Sequence, residues 1–218
     1  MKETQTRQPR HLVALVPLFL LILFCTVGAD LPAHGSLYSS VKKYQHIRVS
    51  RNEVKKLAQF DHLIRYFCGF SYFVPKHQVS PDFIRALILA ESGANPLAVS
   101  TDNALGLGQI LLTTGQEAAQ VLVQSKMRFR YVSHERLKNL KKKDLFDPAV
   151  NILLICYLVA KYNYKFDGKL DLVVSAWNAG ENTASLSRGR HAPYRETENL
   201  IGKINAYYVY LLRHKPFR

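Results

Sequence analysis

An almost unbroken apolar run, Phe83-Ile84-Arg85-Ala86-Leu87-Ile88-Leu89-Ala90, ends on a carboxylate, Glu91, and Ser92-Gly93 and Asn95-Pro96 follow it. Ser80 is placed to cap a helix, Pro81 suits the first helical position, and Asp82 favours the positive helix end. Gly93 and Pro96 punctuate the far end. The spacing predicts a helix over about 81–92. Counting back from Glu91, Ile88 lies three residues away, Leu87 four and Ile84 seven, so the carboxylate sits over a hydrophobic stripe. Apolar surroundings and the partial negative charge of the helix C-terminus both disfavour its anion. A carboxyl group kept protonated near neutral pH is what a general acid requires. The alternative is an ordinary helix-end glutamate pointing into water.

The rest of the chain reads as helices with short connections. Ser50-Arg51-Asn52-Glu53 fits a capping box, opening a helix whose Val54, Leu57, Phe60, Leu63, Ile64 and Phe67 fall at helical spacing. Thr114-Gly115-Gln116-Glu117 is a second candidate box, before Ala118 to Val123. Asp147-Pro148 starts an apolar stretch from Ala149 to Tyr162. A shorter helix is predicted from Leu170 to Trp177, stopped at Asn178-Ala179-Gly180, and a last one from about Glu196 to Leu212. Residues 30–49 are polar, with Gly, Ser and Lys, and read as a linker. Residues 97–112, where Gly106 and Gly108 alternate with apolar residues, suggest a small β element. The expectation is a mainly α fold, a single domain over 50–218 with that one β feature.

Residues 1–29 look like an export signal: Lys2, Arg7 and Arg10, an apolar run from Leu12 to Phe24, then Val27-Gly28-Ala29. Small residues at the last and third-last positions favour cleavage before Asp30. If uncleaved, residues 12–29 would anchor the chain to the inner membrane, although Pro17 and the short apolar stretch make a poor span. Cys25 is preceded by Phe24, which argues against lipidation. The reading places the protein in the periplasm or cell envelope of a bacterium. Cys68 and Cys156 then remain, as a disulfide or as two buried thiols. No metal-ligand spacing involves them or the 8 histidines.

The formal net charge is +14, and loss of Lys2, Arg7 and Arg10 with Glu3 leaves it near +12. Such a balance favours a polyanionic partner. The runs Lys42-Lys43 and Lys141-Lys142-Lys143 would suit nucleic acid in a cytosolic protein. Export argues against that, and no nucleic-acid partner is expected.

Four segments converge: Glu91-Ser92-Gly93-Ala94-Asn95-Pro96, Ala104-Leu105-Gly106-Leu107-Gly108-Gln109-Ile110, Asp147-Pro148 with Asn151-Ile152, and Ser175-Ala176-Trp177-Asn178-Ala179-Gly180. Each alone has a structural explanation as a helix end, a glycine hairpin or a helix start. Their order and spacing together closely resemble the soluble lytic transglycosylase (SLT) domain, related in fold to goose-type lysozyme, over about residues 78–208. The resemblance implies a lysozyme-like catalytic domain acting on peptidoglycan glycan strands without metal or cofactor. Glu91 matches the family's single catalytic acid/base and Ser92 its neighbour, which helps set the local hydrogen bonding. Ser100 and Gln109 match positions that line the sugar groove. Trp177 stands where the family usually has tyrosine, keeping an aromatic platform for a sugar and losing the phenol oxygen, and Asn178 matches the asparagine beside it. A core tryptophan is the alternative for Trp177.

Several positions depart from the family pattern. Gly108 and Leu111 replace methionines, Leu112 a proline, and in the Glu196-Thr197 signature Leu200 and Ile201 replace a tyrosine and a valine. The resemblance implies cleavage between N-acetylmuramic acid and N-acetylglucosamine, with a 1,6-anhydro end as product. Two rival functions stand beside it. A lysozyme-type hydrolase needs a second carboxylate, for which Asp102 is the candidate. A non-catalytic peptidoglycan-binding protein is conceivable from Gly108 and Leu200.

Overall fold

The computed structural model describes residues 35–73 and 78–217. The expected export signal over 1–29, with its cleavage point and the anchor alternative, lies outside the described residues. Among the described residues no helix is long and apolar enough to cross a membrane. The described residues form a mainly helical architecture, in agreement with the mainly α expectation.

Two helices form the centre. The first, α4 (Pro81–Ser92), starts as its sequence requires: the Ser80 hydroxyl accepts from the Phe83 amide, and Pro81 takes the first turn. Phe83 through Ala90 are all buried, so the helix is covered on every side rather than on a stripe. Arg85 is buried with them, and its guanidinium is held by Asp61 and Asp82 while its Cζ lies 4.5 Å from the Phe217 ring centroid. A charge in that position is tolerated because its partners are in place. The second central helix, α7 (Pro148–Lys165), is capped by Asp147, whose carboxylate accepts from the Ala149 amide at 2.8 Å. It is buried from Val150 through Ala160.

The capping box at Ser50 and Glu53 is formed from both sides. The single helix expected beyond it is two, α2 (Arg51–Ala58) and α3 (Asp61–Cys68). Phe60, with φ −106° and ψ −1°, makes the break. The bend lets Leu57, Phe60, Ile64 and Phe67 all reach the core. Helix α5 (Leu112–Gln124) opens at Leu111 without a side-chain cap, so Thr114–Glu117 lies inside it and is no capping box. Short helices α6 (His134–Lys138), a 3-10 turn (Lys142–Phe146) and α9 (Ala184–Ser187) join α8 (Leu170–Ala179) and α10 (Arg195–His214).

Residues 30–49 are not a linker along their whole length. Gly35–Tyr44 forms α1, packed on α10. The contact depends on Gly202, where a Cβ would lie 2.6 Å from the Ser40 carbonyl oxygen. A glycine on the partner helix, far away in sequence, lets a polar segment dock. The β element near 97–112 reduces to two isolated bridges, Val99 with Leu105 and Leu105 with Ile110. It is a compact double turn.

Candidate active site

Glu91 occupies the last turn of α4, half-buried, where Gly93 reverses the chain with φ +59°. The indole Nε1–H of Trp177, near the end of α8, donates to Glu91 Oε1 at 2.8 Å. From α10, Lys203 Nζ donates to the carbonyl of Ala90 at 2.7 Å. Burial pushes the Glu91 carboxyl up to about 7. The Trp177 hydrogen bond and the Lys203 charge pull against that rise, and the negative charge of Glu196 adds to it. The group is thus poised to hold or release a proton near neutrality, the condition for general acid/base work.

The glycine turn beside Glu91 is built by Asn151, a fully buried amide in α7. Its Oδ1 accepts from the Gly108 amide at 2.9 Å, and its Nδ2 donates to the carbonyls of Leu145 at 2.7 Å and Leu105 at 3.1 Å. Gly106 has φ +73°, and a Cβ there would sit 2.2 Å from the Leu145 oxygen. At Gly108 a Cβ would fall 2.5 Å from Ile155 Cγ1 and 3.4 Å from the Trp177 ring. Both glycines are required by the close approach of this turn to α7. The Ser92 hydroxyl ties α4 to the same turn, reaching the Leu107 carbonyl at 2.8 Å and its own Ile88 carbonyl at 3.2 Å.

The remaining expected residues fall into two groups. Trp177 and Gln109 line one small cleft with Ile110, Leu111, Thr114, Leu158 and Tyr162. A larger cavity, lined in part by Ser80, Phe83 and Tyr208, opens at the other end of α4 and contains none of the candidate residues. Gln109 has φ +49°, and its Nε2 donates to the Gly106 carbonyl at 2.9 Å. The Ser100 hydroxyl accepts from the amides of Ala104 at 3.0 Å and Asp102 at 3.2 Å. Those bonds shape the turn. Asn178 is exposed, and its Oδ1 accepts from the buried Thr197 hydroxyl at 2.5 Å, joining α8 to the start of α10. Leu200 packs half-buried against the core, with no polar atom where the family resemblance has a phenol.

Two features escaped the sequence reading. Trp177 is a hydrogen-bond donor to Glu91 in addition to an aromatic surface. Lys203 and Glu196 act on Glu91 through their charges from α10, over a hundred residues away in the chain, a proximity that local pattern does not signal. Among the described residues, no group of three or more His, Cys, Asp or Glu side chains is arranged to hold a metal ion. Cys68 and Cys156 are buried free thiols with their sulfurs 3.8 Å apart.

The chain is 31% identical over 151 residues to a Haemophilus influenzae protein that carries the provisional name soluble lytic murein transglycosylase. The match covers 63% of this chain and 23% of that protein, so the chain spans about a quarter of its relative's length. The 70 kDa soluble lytic transglycosylase SLT70 of Escherichia coli superposes with a TM-score of 0.54 at 21% identity, over 84% of this chain and 27% of that one, a likeness of fold. Residues 74–199 match the Transglycosylase SLT domain, more than half of the sequence. The chain belongs to the transglycosylase SLT domain family.

Proposed function

We propose that this protein is a peptidoglycan lytic transglycosylase in which Glu91 is the sole general acid/base. The observation that carries the reading is the half-buried Glu91 carboxyl, raised to about 7 and held by the Trp177 indole beside a cleft. Protonated Glu91 donates to the glycosidic oxygen between N-acetylmuramic acid and N-acetylglucosamine, and the bond from C1 to that oxygen breaks. The carboxylate then takes the proton of the C6 hydroxyl on the same muramoyl residue. As the C6 oxygen bonds to C1, a 1,6-anhydro end forms and Glu91 returns to its protonated state. An intramolecular nucleophile has the entropic advantage of proximity and needs no second carboxylate.

The other groups fit supporting roles. Ser92 fixes the end of α4 to the glycine turn, Gln109 and Trp177 line the sugar cleft, and Ser100 and Asn178 shape its rims. The excess of positive charge favours anionic cell-wall glycan, a steering effect that salt weakens. Action on that polymer places the protein in the cell envelope.

A second reading, hydrolysis of the same bond, is favoured by one observation: Glu196 lies close enough to raise Glu91 electrostatically. It is exposed on the first turn of α10 and is a better candidate than Asp102 for activating water. Mass spectrometry of products from purified peptidoglycan separates the two. Anhydro ends are lighter than reducing ends by one water. Predominant reducing ends, abolished by Glu196→Gln, would overturn the transglycosylase reading.

A further inference from the structure

The last turn of α4 leaves carbonyls without helical partners. The Gly93 amide serves Leu89 and the Ala94 amide approaches Ile88, whereas the Ala90 carbonyl is met by Lys203 from another helix. Helix α4 has no basic residue in its own last turn to offset the negative end of its dipole. On α10, Glu196, Leu200 and Lys203 are spaced by four and three residues and share one face. Leu200 is apolar, so it contributes no polar group between the carboxylate and the ammonium. We propose that Lys203 is a positioning residue for Glu91, tying α10 to the Ala90 carbonyl and holding a positive charge against the neighbouring carboxyl.

The geometry gives this lysine two effects on one target. The hydrogen bond to residue 90 fixes the backbone from which Glu91 projects toward the Trp177 indole. The ammonium counters Glu196, the like charge on the same face. The other groups around Glu91 add little that could replace it. Helix α8 contributes Trp177, and the turn over 104–110 carries no titratable side chain. On α3, Asp61 and Arg65 are engaged with each other, and Asp61 also with Arg85, in the N-terminal half of α4. Removing the charge therefore leaves the carboxyl facing burial and Glu196 with the indole alone in opposition. Its proton is then held more tightly.

The assignment rests on the acid/base role proposed for Glu91, and its test has a readout that does not need turnover. The Glu91 carboxyl is followed by carbon-13 NMR in the full chain, identified by the resonance missing from Glu91→Gln. Lys203→Met and Lys203→Gln are expected to move its titration upward by roughly a few tenths of a pH unit or more. Lys203→Arg is expected to leave it near the wild-type position. In the two neutral variants the alkaline limb of the rate profile should follow in the same direction. If Lys203→Met does not fold, Lys203→Gln decides, because it keeps a donor for Ala90 without the charge. A titration unmoved in the neutral variants, with only the melting temperature lowered, would make Lys203 a plain structural tie and overturn the proposal. Failure of the acid/base reading has a different signature, a Glu91→Gln variant that still cleaves peptidoglycan.

Discussion

Trp177 on α8 donates its indole N–H to Glu91 Oε1 at 2.8 Å, while the edge of the same ring lies 3.4 Å from where a Cβ on Gly108 would project. The indole is thus both a partner of the carboxyl and part of the wall around it. Its donor stabilises the anion, so Trp177→Phe removes a hydrogen bond while keeping an aromatic face. The carboxyl should then titrate higher than in the parent protein, moving the alkaline limb of the rate profile upward. The loss of a bond to an ionised group is expected to cost about 1.5–3 kcal/mol in transition-state stabilisation. Trp177→Ala should in addition weaken glycan binding by roughly 1–3 kcal/mol through loss of the aromatic surface. Melting temperature measured beside binding separates this from a core role, which would show as lost stability with affinity retained.

Glu91→Gln is expected to fold and to lose essentially all activity, because the amide cannot donate and recover the proton. It also has a stability consequence with a definite sign. The folded carboxyl titrates at about 7 against an ordinary 4.5, so the folded state holds a proton that the unfolded chain has released between those values. Stability from this group is complete below pH 4.5 and is lost as pH rises through 7. The glutamine variant lacks that loss. It should match the parent near pH 4 and exceed it at pH 8 by roughly 1–3 kcal/mol, a tenfold change in proton affinity being worth about 1.4 kcal/mol. Thermal denaturation of both proteins across this range checks it. A constant difference at all pH values would contradict a raised Glu91.

Asn151 satisfies three backbone groups of the glycine turn and its surroundings from a fully buried position. Asn151→Ala leaves the Gly108 amide and two carbonyls without that partner and is expected to cost about 3–5 kcal/mol. Asn151→Asp should be comparably harmful, since a carboxylate accepts from Gly108 but repels the carbonyls of Leu105 and Leu145. Urea denaturation gives the cost, and activity at a temperature where the variant remains folded should also fall.

Cys68 and Cys156 pack α3 against α7 with both thiols buried, and burial pushes the Cys156 thiol well up. A protonated, inaccessible thiol is a poor nucleophile. Iodoacetamide is therefore expected to modify neither Cys68 nor Cys156 in the native protein and both in denaturant, read from the masses of the peptides that contain them. Denatured protein in which Cys68 and Cys156 take up no label before reduction would instead reveal a disulfide between them.

What could be read from the sequence was mainly what is encoded locally. The cap at Ser80, the proline at 81, the stop at Gly93 and the start at Asp147 each depend on a few neighbouring residues, and all four are as the sequence predicts. The docking of α1 depends on a missing side chain at Gly202, and no reading of residues 30–49 contains that fact. The break at Phe60 is tertiary as well, since the helical period continues across it and only burial on one core turns the chain. Within the site, the position of Glu91 was legible because an apolar run leads to it. Trp177 was legible as an aromatic, but the direction of its N–H is set by how α8 meets α4. The charged groups that tune the Glu91 carboxyl stand on α10 and become its neighbours only on folding.

The Gly108 amide of the glycine turn is held by Asn151 in the first turn of α7, inside the longest run of buried residues among those described. A loop anchored only on the periphery can open by itself. This one is held from within the core. Its Gly108 proton should exchange with solvent at the rate of global unfolding, so the turn and the fold share a single melting transition. Heating would then give native molecules and unfolded ones, without a folded population that has lost its turn.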